Sequence, residues 1–277
     1  MNHLFWKVTP SGNPTILLKA EDIPPARRAE VANAVMSPQH IGGEQVGYMR
    51  FEGTPRLDMM GGEFCLNATR AFASVLDSLG LLERDGDTAS GLVEVSGVNE
   101  KIAVRVMHGK GALPFSEACL HFDELPAPEA LPGLDLMRVP GITHIVQSGA
   151  VPAADELASF CLGQRQNLGL EDEEAVGHLW MKNAGLNDDG SCSLSLSPVV
   201  WVRETATLCF ESACGSGTLA CALAEYARSR VTLFSIIQPS GMALSVRIEK
   251  KEHGFDVWTG GPSRITASGT TDLTGIL

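Results

Sequence analysis

Seven cysteines stand at positions 65, 119, 161, 192, 209, 214 and 221. An odd number with no C-x-x-C pair is neither a secreted disulfide framework nor a zinc-ligand spacing. Most such residues are small buried hydrophobes, so reactivity has to be argued from context. Two of them have that context. Cys65 opens the run Cys65-Leu66-Asn67-Ala68-Thr69-Arg70-Ala71-Phe72-Ala73, and Cys214 opens Cys214-Gly215-Ser216-Gly217-Thr218-Leu219-Ala220-Cys221-Ala222. Cys, Thr and two Ala recur at identical offsets. Each cysteine follows an acidic residue, Glu63 or Glu211. Each run leads to a Ser-Gly pair, at 96–97 or 240–241, and then to Val-Arg at 104–105 or 246–247. Duplication explains this agreement better than chance among common residues.

Both runs have helical spacing, with the cysteine at the start. A helix N-terminus presents unpaired N–H groups and the positive end of the helix dipole. A thiol placed there ionises more readily, and the same N–H groups hold a carboxylate. Two thiols on opposite sides of one α-carbon could invert it. One, as thiolate, removes the α-proton; the other, as thiol, supplies a proton to the opposite face; their roles exchange with the hand of the substrate. Near-contact positioning, donors aimed at the carboxylate and exclusion of water would help the weakly acidic proton leave. This chemistry needs no pyridoxal phosphate, and no lysine stands in a cofactor-like motif. No cofactor and no metal are expected.

The elements that must hold these thiols read as short strands with a few helices. Strands are expected at Leu4–Val8, Thr15–Lys19, Glu44–Phe51, Leu92–Val95 and Ile102–Val106, with a turn at Pro10-Ser11-Gly12-Asn13. Helices are expected over Pro25–Met36 and Cys65–Leu79, the latter stopped by Gly80. Glu124–Gly133, rich in Pro and acid, reads as a linker. Beyond it come strands at Thr143–Gln147, Pro198–Val202, Val231–Ile237 and Ala243–Ile248, and helices at Ala153–Leu162 and Gly215–Ala227. Residues 254–277 read as further short strands that could return to the first half.

With 277 residues the chain can form one large domain or two modest ones. Its formal charge of −12 argues against a nucleic-acid partner. No apolar run is long enough to cross a bilayer, and Met1–Lys7 lacks the pattern of a signal peptide. The expected location is the cytoplasm, with no membrane partner.

At these motifs the sequence resembles the diaminopimelate epimerase superfamily. Within it, the sequence is most similar to the histidine racemases that supply D-histidine for opine-type metallophores such as staphylopine. Ala213-Cys214-Gly215-Ser216-Gly217 matches a superfamily signature. Gly62-Glu63-Phe64-Cys65-Leu66-Asn67-Ala68-Thr69, Pro10-Ser11-Gly12-Asn13, Glu44-Gln45-Val46-Gly47 and Gln238-Pro239-Ser240-Gly241 resemble the racemase forms. The similarity runs in blocks from about residue 9 to about 248 and is weakest from 125 to 190.

The resemblance implies an α+β fold of two pseudo-symmetric domains, each a mixed sheet or barrel wrapped around a central helix. These would be 1–125, joined by 263–277, and 126–262, with the active site in the cleft between them. It implies catalytic Cys65 and Cys214, and substrate contacts from Asn13, Gln45, Asn67 and the amides of Leu66, Gly215, Ser216 and Gly217. Glu44 would orient the imidazole or the amine. A homodimer without cofactor is usual in this superfamily.

Two departures bear on the substrate. The epimerases carry a Glu-Arg pair shortly before the second cysteine motif, whose arginine binds a distal carboxylate. Here that stretch is Thr205-Ala206-Thr207, and Arg203 lies upstream. A distal carboxylate without its bidentate partner binds poorly, so histidine ranks above diaminopimelate. The usual Cys-Gly-Asn is also Cys65-Leu66-Asn67, which narrows the carboxylate cradle. Proline racemase chemistry, a non-catalytic amino-acid-binding protein and a redox sensor built on two thiols are the remaining alternatives. His144, Glu63 and Glu211 stand behind the reacting groups. For His144 a structural hydrogen bond is expected, and for the two glutamates helix capping. Asn13, taken alone, reads as a turn residue. The other five cysteines are read as packing or exposed thiols without a role.

Overall fold

Parallel strands cannot be joined by a hairpin; they need a crossover connection. In the computed structural model, which describes residues 2–203 and 206–276, the chain makes such a crossover four times among the described residues. A helix lies in each one: α1 (Arg28–Met36), α2 (Leu66–Ser78), α3 (Ala154–Asn167) and α4 (Gly215–Ser229).

The chain divides into two units, Met1–Leu120 with Gly260–Leu277, and His121–Thr259. In the first, Asn2–Pro10 runs antiparallel to Thr15–Lys19, which runs parallel to Gln45–Arg50 across α1. Gln45–Arg50 pairs antiparallel with Arg56–Met59, which lies parallel to the end of Thr88–Val95 across α2. Thr88–Val95 then pairs antiparallel with Ile102–Met107. The second unit repeats this order. Leu134–Val139 is antiparallel to Ile142–Gln147, which is parallel to Ala175–Leu186 across α3. Ala175–Leu186 is antiparallel to Cys192–Val202, which is parallel to Leu233–Ile237 across α4, itself antiparallel to Ala243–Lys250. The duplication visible in the cysteine motifs is therefore a duplication of sheet topology.

The helices after the two cysteines are the cores of their units. Every residue of α2 from Leu66 to Leu76 is buried, and so is every residue of α4 from Gly215 to Ala224 except Ser216. Fully burying side chains such as Phe72, Val75 and Leu76 stabilises by about 1.5–3 kcal/mol each. In each unit a Ser-Gly turn braces the segment before the cysteine. Ser96 Oγ accepts from the Met59 amide and donates to the Glu63 carbonyl, both at 2.8 Å. Gly97 has φ +79°, and a Cβ there would lie 2.3 Å from the Phe64 nitrogen. The counterpart is a bond of 2.9 Å from the Ser240 amide to the Ser212 carbonyl.

Three expectations change. Residues 254–277 contain one long strand, Phe255–Asp272, whose second part pairs with Asn2–Pro10 inside the first unit. The stretch Glu124–Gly133 is not wholly a linker, because Glu129–Leu131 pairs with Leu134–Leu136. The His144 ring does not make the expected hydrogen bond among the described residues. It is fully buried, and neither ring nitrogen has a partner among the described residues. What fixes it is packing: a Cβ on Gly177 would sit 2.0 Å from His144 Nδ1, so the glycine is the space the ring occupies.

Burial holds His144 neutral, its pKa down at about 3; the neighbouring His178, whose Nδ1 meets Gln164 Oε1 at 2.8 Å, is pushed down to about 4 by burial and then by the Arg165 charge. Both folded values lie below the ordinary histidine value of 6.5. The unfolded chain therefore takes up protons first, and stability falls as pH drops below 6.5 toward those folded values. Urea titrations followed by tryptophan fluorescence should show stability level between pH 7 and 8. Below 6.5 it should decline by up to about 1.4 kcal/mol per pH unit for each histidine, and His144→Leu should flatten the decline. Gly97→Ala should cost about 2 kcal/mol or more, since neither its φ nor its neighbours admit a side chain; thermal unfolding measures this.

Candidate active site

Cys65 and Cys214 occupy the same local position in the two units. Each is the N-cap of its helix, with extended backbone at φ −133° and ψ 111° for Cys65, and φ −124° and ψ 109° for Cys214. Each sulfur accepts a backbone N–H three residues on: Ala68 N at 3.4 Å from Cys65 Sγ, and Gly217 N at 3.3 Å from Cys214 Sγ. The recurring threonines have matching work. Thr69 Oγ1 donates to the Cys65 carbonyl at 2.8 Å, and Thr218 Oγ1 to the Cys214 carbonyl at 2.6 Å.

This corrects the capping role expected for Glu63 and Glu211. The caps are the thiols themselves, because the cap position lies at the cysteine. Glu63 instead accepts from the Gly61 amide at 3.0 Å, in the turn that leads into the motif. Glu211 stands beside Cys214. Burial pushes that thiol well above the ordinary value, and the Glu211 carboxylate adds to the shift through its charge and by accepting from the S–H; Ser216 and the Gly217 amide oppose it. Gly217 is expected among the substrate contacts, but its amide is taken by the thiol. A side chain at Gly217 would meet that sulfur at 3.1 Å and Leu179 Cδ2 at 3.0 Å. The amides of Gly215 and Ser216 head the helix, as those of Leu66 and Asn67 do in α2.

Around Cys65 the remaining expected residues form one chain of hydrogen bonds. The thiol donates to Gln45 Oε1 at 3.0 Å. Gln45 Nε2 donates to Asn13 Oδ1 at 2.6 Å and Thr15 Oγ1 at 2.8 Å, and Asn13 Nδ2 donates to Glu44 Oε2 at 2.8 Å. Asn13 is buried and Glu44 exposed, so the chain runs from the half-buried sulfur to a carboxylate at the surface of the unit. Asn13 is thus more than a turn residue, although its turn matters: Ser11 and Gly12 both have positive φ, at 51° and 99°. The second unit carries no such chain at the matching positions. Thr15 pairs with Gln45 where Thr143 pairs with Val176, so Asn13, Glu44 and Gln45 correspond to Gly141, Ala175 and Val176.

Two side chains at the site carry no signal in the motif spacing alone. Gln238 binds both ends of the Cys214 cap, its Oε1 accepting from the Cys214 amide at 3.1 Å and its Nε2 donating to Thr218 Oγ1 at 3.0 Å. Arg70, inside α2, is fully buried. Its readable signal is that α2 holds only one other charged residue, Asp77, in a strongly apolar helix.

Arg203, upstream of the position where an epimerase arginine would stand, donates to the Asp172 carbonyl; Thr205 lies outside the described residues. Cys119, Cys161, Cys192 and Cys221 are buried and Cys209 is exposed. Burial pushes Cys161 up to about 11, which leaves it a poor nucleophile. No group of metal-ligating side chains occurs among the described residues, and no helix among them is long and apolar enough to cross a membrane.

Comparison with known proteins agrees with this geometry. Residues 3–271 match the family model for the histidine racemase CntK N-terminal domain. A histidine racemase of Fusobacterium nucleatum subsp. nucleatum is 30% identical over 275 residues, covering 96% of this chain and 94% of that protein. A histidine racemase of Staphylococcus aureus is 24% identical, covering 96% of each chain. The crystal structure of a probable proline racemase from Agrobacterium radiobacter K84 superposes with a TM-score of 0.64 at 12% identity, covering 98% of this chain and 93% of that one, which shows a shared fold. Twinned helix-capping thiols, a proline-racemase-like fold and a family match over nearly the whole chain lead to one conclusion: the protein is an isomerase belonging to the histidine racemase family.

Proposed function

We propose that this protein interconverts L- and D-histidine by a two-base mechanism without a cofactor, with Cys65 and Cys214 acting on opposite faces of the α-carbon. The observation that carries the reading is that both thiols are N-caps of helices in topologically equivalent units. Duplicated scaffolds supply two equivalent bases, which is what inversion in both directions requires.

In this reading the substrate is an α-amino acid with a free carboxylate. Its carboxylate is held by the leading amides of α2 and α4, whose dipoles favour negative charge, and the charge that develops on abstraction is stabilised there. A proton arriving on Cys65 finds Gln45 Oε1 already placed as acceptor. A proton leaving Cys214 comes from a thiol that burial and Glu211 keep loaded. The exposed Glu44 carboxylate, oriented by Asn13, is the partner for the imidazole or the α-amine. Histidine is favoured over diaminopimelate by family membership and by the absence of arginine from positions 205–207. The same reading takes the enzyme as a cytoplasmic homodimer that supplies a D-amino acid for an opine-type metallophore; its support is the resemblance of the motifs.

The test is α-proton exchange in D2O followed by NMR, under reducing conditions, with histidine, diaminopimelate, proline, lysine and ornithine. Histidine should exchange with inversion, and Cys65→Ala or Cys214→Ala should lower turnover by about 10³-fold or more, as for loss of a positioned base. Exchange confined to diaminopimelate would discard the substrate and keep the mechanism. Undiminished inversion in either cysteine variant would discard the mechanism, whereas exchange without inversion of one enantiomer is what a single remaining base allows. Glu44→Gln should raise KM for histidine about tenfold, the scale of one charged hydrogen bond.

A further inference from the structure

The helix cap is common to both thiols, but the charges behind it are not. Arg70 lies five residues after Cys65 and is fully buried. Its guanidinium donates to four acceptors, none of them charged: Ser116 O at 2.9 Å, Asn67 Oδ1 at 3.2 Å, Ser11 Oγ at 3.2 Å and Pro262 O at 3.4 Å. A buried cation costs several kcal/mol unless a negative charge compensates it. The groups whose charge acts on Arg70 are the Cys65 thiolate and the buried Glu117 carboxylate; burial nevertheless holds the guanidinium down to about 9. Glu117 is itself shared, accepting from Arg105 Nη1 at 3.3 Å. At the matching place in the second unit, five residues after Cys214, stands Leu219, 1% exposed. There the nearby charge is the Glu211 carboxylate.

We infer that Arg70 is a positioning residue for Cys65: its buried guanidinium supplies the positive charge against which the Cys65 thiolate forms, no cation among the described residues stands so to Cys214, and the two bases are therefore chemically unequal. Gln45 Oε1 pulls the other way, because it accepts from Cys65 only while the sulfur carries its proton. An amide oxygen is neutral, however, and the acceptor beside Cys214 is a carboxylate. Arg70 also ties the strained Ser11 turn to Asn67, so it orders both the Asn13 chain and the amide end of the helix.

The inference deepens the two-thiol reading and rests on it. Its test does not depend on turnover. The rate of iodoacetamide alkylation of Cys65, located by mass spectrometry after digestion, is followed against pH. The exposed Cys209 serves as internal reference. Arg70→Met should raise the Cys65 midpoint by about one pH unit, the usual effect of losing a nearby opposite charge. Arg70→Lys should recover most of that shift. Glu117→Gln, which removes the competing carboxylate, should move the midpoint down. Opposite shifts from two neighbouring substitutions are not produced by a merely structural role. Cys65 curves that coincide in wild type and Arg70→Met, or in wild type and Glu117→Gln, would overturn the inference, and the Glu117→Gln arm decides it if Arg70→Met fails to fold. Failure of the two-thiol reading appears separately, as inversion that survives loss of Cys65 or Cys214.

Discussion

A sulfur that accepts a backbone N–H at a helix start is the interaction on which the rest of each unit depends. It fixes the cysteine in extended backbone while the next residue is already helical, so the thiol sits at the point of highest positive potential of the helix. A sulfur acceptor is weak in a neutral cap and stronger once it is charged. The cap therefore favours thiolate over thiol. Holding it in place requires the segment before the cysteine to be immobile, and both units meet this in the same way: a Ser-Gly turn from the following strand grips the backbone two residues before the cysteine, at Glu63 or at Ser212. The threonine four residues after the cysteine closes on its carbonyl. What recurs in the sequence is the set of residues that builds this cap.

The differences between the units then acquire meaning. The scaffold is repeated strand for strand, but the polar groups laid on it are not. Asn13, Glu44 and Gln45 have Gly141, Ala175 and Val176 as counterparts, and Arg70 has Leu219. Hydrogen-bonding side chains and a buried cation are gathered around the first thiol. The second is more deeply buried and stands next to a carboxylate. The proposed mechanism accounts for such divergence, because under it the reacting carbon needs two similar bases while the side chain needs one binding surface.

Much of this was legible in the sequence, and the exceptions have physical causes. The cysteine helices showed themselves by apolar spacing and by Gly80, and their observed bounds, Leu66–Ser78 and Gly215–Ser229, differ only at the ends. The strand Ala175–Leu186 was hidden because it holds Gly177, Lys182 and Gly185, residues with low strand preference, and a register shift near its end. Pro198 masked the first half of Cys192–Val202 in the same way. A strand histidine ordinarily satisfies a partner, whereas at His144 a glycine on the adjacent strand makes room for the ring. A carboxylate just before a helix ordinarily reads as its cap, whereas next to Glu63 and Glu211 the thiols fill that position.

Unequal bases are compatible with an enzyme that must work equally in both directions. Enantiomers have the same free energy, so no arrangement of charges in the protein can move the racemisation equilibrium. What the charges do set is the form in which the free enzyme waits. If the two thiols share one proton as proposed, a cation behind Cys65 and a carboxylate behind Cys214 favour its resting on Cys214. Each turnover that moves a proton from substrate to Cys65 leaves the enzyme in the other, less favoured form. Return to the resting form, by a second turnover in reverse or by exchange with water, then becomes part of the cycle. The helix caps favour the thiolate at both cysteines, burial and Glu211 outweigh the cap at Cys214, and so the groups behind the caps decide which thiol holds the charge first.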